Sequence, residues 1–80
     1  MKANCQRAYA IKAKTSTNYK YAYFISLDLD NKESKIVCGR LSDAKLFRVK
    51  SEMLKYLSVL GDRFEPIEVT ITENDKVKLN

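Results

Sequence analysis

Residues 7–14 alternate strictly, with Tyr9, Ile11 and Ala13 on one side and Ala8, Ala10, Lys12 and Lys14 on the other. That period-two pattern predicts a half-buried strand. A polar cluster of turn formers at 15–18 follows, and a second β-rich run occupies 19–29. In it Tyr19, Tyr21, Tyr23, Ile25, Leu27 and Leu29 share one face, while Lys20, Ala22, Phe24, Ser26 and Asp28 share the other. The polar stretch 30–34 makes a second connection, and Ile36, Val37 and Cys38 within 35–41 predict a third strand ending near Gly39. Three consecutive antiparallel strands form a meander.

The period then changes. Ser42 with Asp43 suits a short helical turn over 42–47 that tucks in Leu46 and Phe47. Met53, Leu54, Leu57 and Leu60 recur at spacings of three and four, flanked by Tyr56, which predicts an amphipathic helix over 52–60. Ser51 is its expected N-cap, and Gly61 is its expected stop in a left-handed cap. Alternation returns over 64–72, with Ile67, Val69 and Ile71 on one face and Pro66 near the start, where a missing amide donor is tolerated.

The expected fold is α+β in the order β-β-β-α-β, with the helix packed on one sheet face. Residues 1–80 make a single domain whose ordered core spans about 7–72, and 1–6 and 73–80 are the segments expected to fray. If the helix covers Tyr9, Ile11, Tyr21, Tyr23, Ile25, Ile67, Val69 and Ile71, the opposite face shows Lys12, Lys14, Lys20, Phe24, Ser26, Val37, Glu68 and Thr70. A one-residue slip of register would exchange the two faces.

Composition adds a bias without a class. The 45% hydrophobic and 31% charged residues are ordinary for a folded domain. The formal charge of +5, from 15 Lys and Arg against 10 Asp and Glu, would assist approach to a polyanion, but the basic residues are scattered and form no run. The N-terminal stretch is broken by Asn4, Gln6, Arg7 and Lys12, so a signal peptide is not expected, and no window reaches the roughly 20 apolar residues of a membrane span. The expectation is a cytoplasmic protein that makes no use of a membrane.

Several chemistries lack their parts. The chain has no histidine, the commonest general base and metal ligand. Gly39 and Gly61 are isolated from each other, so neither a phosphate loop nor a dinucleotide fingerprint can be built. Asp28, Asp30 and Glu33, with Asn31 among them, have the composition of a cation-binding loop but not its glycine or terminal glutamate, and read better as a solvated turn. Cys5 and Cys38 are too few for a zinc site or disulfide framework; Cys38, within a strand, would act as a small hydrophobe when buried. No catalytic residue, metal or cofactor is expected.

The stretch Leu41-Ser-Asp-Ala-Lys-Leu-Phe47, the amphipathic helix to Gly61 and Phe64-Glu-Pro-Ile-Glu-Val69, together with Tyr9-Ala-Ile-Lys12, resemble the small α+β proteins encoded by phages and mobile elements of Gram-positive bacteria. That resemblance covers most of the chain and implies a context in which small proteins bind and modulate host or defence proteins. It carries over no functional residue.

The leading expectation is a non-enzymatic protein-interaction module, an inhibitor or regulator whose partner surface includes Tyr19, Tyr21, Phe24 and Val37. One alternative is nucleic-acid binding, with Lys12, Lys14 and Lys20 on phosphates and Phe24 stacked on a base. Another is a structural homodimer formed by burying the open face or by pairing an edge at strand one or beside Pro66.

Overall fold

The computed structural model describes residues 5–14, 21–72 and 74–80. The expected turn at 15–18, Tyr19 and Lys20 lie outside the described residues. The elements run β1 (Gln6–Ala13), β2 (Tyr23–Ser26), β3 (Val37–Gly39), a 3-10 turn (Leu41–Asp43), α1 (Lys50–Leu60), β4 (Phe64–Ile71) and β5 (Val77–Leu79). The α+β class and the meander agree with the sequence pattern. The order differs by a fifth strand, because Val77 and Leu79, in the tail expected to fray, pair with Ile71 and Val69.

All neighbours in the sheet are antiparallel, in the order β3-β2-β1-β4-β5. β1 is therefore central, which corrects its expected place at an edge. Along its full length it pairs with β4, from Gln6 opposite Ile71 to Ala13 opposite Phe64. Its other side meets β2 at Lys12 opposite Tyr23, with the Ala13 N–H donating to the Ala22 carbonyl at 2.8 Å. Beyond the end of β2, Tyr9 and Phe47 exchange backbone hydrogen bonds of 2.7 and 2.8 Å, so the chain at Phe47 completes the ladder beside β1.

These registers divide the face expected to lie under the helix: Tyr9 and Ile11 stay there, while the β2 and β4 residues change sides. Ala8 stands opposite Val69 and Ala10 opposite Ile67, so the β4 aliphatics share the alanine face of β1 and not the face of Tyr9 and Ile11. Tyr23 joins them through Lys12, which sends Phe24 to the side of Ile11. The helix covers that side. Phe24, Ile11, Phe47, Met53 and Leu60 form its buried cluster, with Tyr9, Tyr56, Leu57 and Phe64 packed around it. Tyr56 joins Phe24 and Phe47 at ring-centroid distances of 5.6 and 5.3 Å in tilted geometry, and the Lys45 ammonium lies 5.4 Å from the Tyr56 ring centre.

The second face is covered as well. Ala8, Ala10 and Val69 are fully buried beneath Leu41, Ala44 and Leu46, with Ile67, Ile71 and Val77 packed beside them. The small β1 alanines let this irregular segment approach the sheet closely, where a larger side chain would hold it off. Leu46 and Phe47, expected to tuck in together, end on opposite faces of the sheet.

The local signals were displaced more than misread. The first helical turn spans Leu41–Asp43 with Arg40 at its cap position, and α1 begins at Lys50 with Val49 at its cap position. Neither Ser42 nor Ser51 acts as the cap. Gly61 does end α1, at φ 84° with its N–H donating to the Leu57 carbonyl at 3.0 Å. Its ψ of −165° puts it in an extended mirror-image conformation open to glycine, not the left-handed helical one. β2 ends at Ser26; the chain then turns through 28–34, where the Asp28 carboxylate accepts the Asp30 N–H and the Asn31 side-chain oxygen accepts the Glu33 N–H.

The two glycines should respond differently to alanine. A Cβ at Gly39 would stand 2.5 Å from Cδ1 of Ile25, whereas nothing lies within 4 Å of one at Gly61. Gly39→Ala is expected to cost about 1–3 kcal/mol by overpacking. Ile25→Val removes the offending methyl, so in that background most of the added cost should vanish. Gly61→Ala should cost about 1 kcal/mol or more through its backbone alone, with no side-chain rescue. Urea unfolding of the single and double variants, followed by far-ultraviolet circular dichroism, measures each term.

Candidate functional site

The antiparallel order leaves two sheet edges, and they differ chemically. On the β4 side, β5 pairs only with residues 69–71, so the first half of β4 has an outer rim. The odd residues of β1 direct their backbone groups toward Phe47 and β2, so its even residues face β4, and Pro66, opposite Ile11, points outward. Proline has no N–H to offer there, and the Glu68 carbonyl already accepts the Asn80 N–H at 3.3 Å. This rim is poorly equipped to pair with another strand.

The β3 edge carries no such block. The Ala22 and Phe24 carbonyls accept from Ala13 and Lys45 on the β1 side, so Tyr23 turns toward β3 and meets Gly39. Alternation then directs the Cys38 N–H and C=O away from β2, to the outside of the sheet. Ile36 and Val37 are each 45% exposed beside it. Tyr21, 44% exposed, is held near the other end of β3 by Arg40, whose Nη2 donates to the Tyr21 hydroxyl at 3.3 Å. The Arg40 guanidinium also lies 5.5 Å from the Tyr21 ring centre.

The expected partner residues are thus divided. Tyr21 and Val37 both lie exposed along the β2–β3 limb, while Phe24 is completely buried under α1. Placing Phe24 on an open face is corrected, since its parity on β2 follows Ile11 once Tyr23 registers with Lys12. The stacking constellation of Lys12, Lys14, Lys20 and Phe24 is not assembled among the described residues. Lys12 projects on the face opposite Phe24, where it lines a shallow cleft of about 400 Å³ with Tyr23, Glu65 and Leu79. Lys14 borders a different depression, about 580 Å³, between the end of α1 and β4, lined also by Leu54, Leu57, Phe64 and Pro66.

Two features escaped the sequence pattern. Leu54, assigned to the buried stripe of the helix, is exposed at the rim of that groove. The pairing of Arg40 with Tyr21 is the other; its signal in the sequence is the place of Arg40 at the end of a strand beside a tyrosine-bearing one. Among the described residues no group of three or more His, Cys, Asp or Glu is placed to hold a metal ion, and no helix is long and apolar enough to cross a membrane.

Cys38 is exposed at the edge, not buried as a small hydrophobe. Even so, partial burial around its sulfur pushes the thiol pKa up by desolvation. The neutral thiol therefore dominates at neutral pH, and Cys38 is a weak nucleophile. Comparison of the chain with protein-family models, with curated proteins and with solved structures gives no match.

In a Cys5→Ser background, maleimide should label Cys38 more slowly at pH 7 than it labels an unstructured cysteine peptide. The rate should rise through a midpoint above that of the peptide and match it once urea unfolds the chain. Equal rates in the folded state would contradict the desolvated setting.

Proposed function

We propose that the chain is a non-enzymatic protein-interaction module that binds another polypeptide along the β3 edge. The observation that supports this reading is the conjunction at one place of an outward-pointing Cys38 backbone with exposed Ile36 and Val37. An added strand gains main-chain hydrogen bonds from such an edge and specificity from the side chains on either side of it. Tyr21 and Arg40 extend the surface at the end of β3 with a large aromatic and a planar cation, residue types enriched at binding hot spots. An inhibitory or regulatory outcome, as implied by the resemblance to phage and mobile-element proteins, follows from what the bound polypeptide does.

The basic excess plays a secondary part. Residues 28–43 hold four acidic and three basic side chains, so the positive charge that produces the net +5 lies elsewhere on the chain. Charge assists approach and is screened by salt, while the edge supplies the contact.

Val37→Lys places a charge on this edge without touching the core. It should change stability by less than about 0.5 kcal/mol, as is usual for an exposed position. Binding to any polypeptide captured by the immobilised wild-type chain should fall at least tenfold, about 1.4 kcal/mol. Retention of the same bound protein at undiminished affinity by Val37→Lys would overturn the assignment to β3.

A further inference from the structure

We infer that the polypeptide that pairs with β3 is a second copy of this chain, added antiparallel about a two-fold axis through Cys38. This rests on the β3-edge reading and names its occupant. Three observations carry it: the register the edge imposes, the side chains this register brings together, and the charges at the two ends.

β3 has three residues, and only Cys38, its centre, turns its backbone groups outward. The register that gives all three a partner places Cys38 opposite Cys38 of the second copy, with the two residues exchanging N–H···O bonds. The axis is perpendicular to the sheet, so the faces are preserved and the two helices lie on the same side. This is an isologous contact, which closes at two copies and leaves no repeating edge.

In that register Val37 of each copy lies across from Gly39 of the other. Val37 projects from β3, whereas Gly39 presents no side chain and is covered by Ile25 from the neighbouring strand. A projecting aliphatic thus meets a bare backbone position backed by an apolar methyl, twice, by symmetry. Ile36 falls opposite Arg40 and can lie along its aliphatic stem. At each end Lys35 of one copy approaches the Leu41–Asp43 turn of the other, which brings an ammonium toward the Asp43 carboxylate. The Pro66 rim on the far side of the sheet has no comparable self-complement.

Light scattering or sedimentation over a concentration series of the full chain tests the pairing. The mass should rise from 9.2 kDa toward twice that value. Val37→Lys should remain monomeric with an unchanged circular dichroism spectrum, and Cys38→Ser should dimerise like the wild type, because the contact is made by backbone and not by sulfur. In the Cys5→Ser variant, opposed Cys38 residues stand roughly 5.5 Å apart at Cα, inside the window of about 4.4–6.8 Å that a disulfide spans. Oxidised glutathione at alkaline pH should then link them, the two thiols losing their protons and the glutathione disulfide taking up the two electrons. Val37→Lys should abolish that link.

A monomeric mass at every concentration, or a dimer undiminished by Val37→Lys, overturns the inference. If the chain stays monomeric but retains a different protein that Val37→Lys releases, the second copy is excluded and the β3 reading stands. If it stays monomeric and retains nothing, both fall.

Discussion

The position of β1 constrains everything else. Its eight residues run through the middle of the sheet with a strand on either side and a cover on each face. On one face Tyr9 and Ile11 contribute to the aromatic core under α1; on the other Ala8 and Ala10 admit Leu41, Ala44 and Leu46 at close range. Most β1 partners are distant in sequence, since β4 begins some fifty residues later and the Phe47 bridge lies almost forty residues from Tyr9. Little of this core can form before the chain has closed on itself, so helix, meander and final strands should be lost together on unfolding.

A central first strand also decides where the sheet ends. With β2 and β3 laid to one side of β1 and β4 and β5 to the other, the edges fall to the two shortest strands, each of three residues. Short edges are one way in which sheets avoid indiscriminate pairing. Pro66 strengthens that protection on the β4 side, where its missing N–H faces outward. Nothing equivalent stands on β3, whose flanking Lys35 and Arg40 bracket the apolar Ile36, Val37 and Cys38. The two edges thus differ in a way that follows from one residue.

The sequence pattern revealed elements more readily than relations. Alternation located β1 and β4 to within a residue, and the three-and-four spacing of Met53, Leu57 and Leu60 located α1. It could not locate the registers, because each strand has a plausible apolar face whichever way its neighbour slides. The error came from size: Ala8 and Ala10 are weakly hydrophobic, so the face they share with Lys12 looked like the solvent side, and only the segment at 41–46 buries it. Phe24 shares its face in the pattern with Lys20, Ala22, Ser26 and Asp28, so the face of the alternating tyrosines reads as the more apolar one. The start of α1 was obscured differently. Phe47 is tied to Tyr9 and the Arg48 guanidinium to the Gln6 side chain, so the chain leaves the sheet at a point set by tertiary contacts, and the helix begins before Ser51 could cap it.

The β2–β3 limb shows how a local irregularity can shape a surface. Register shifts between Phe24 and Ser26, where β2 carries one more residue than β3 opposes. Such a bulge bends its strand and increases the local twist, re-aiming the side chains beside it. Here Ile25 comes to lie over Gly39, the last residue of β3, so that its methyl would have to shift to admit a Cβ at that position. Glycine normally weakens a strand, since it has nothing to pack and more freedom to lose. At Gly39 that cost is tied to geometry, because a larger residue would have to displace the Ile25 side chain. The absence of a side chain at Gly39 thus answers first to Ile25 within the sheet, and in the proposed pairing the same position is the one that lies across from Val37 of the second copy.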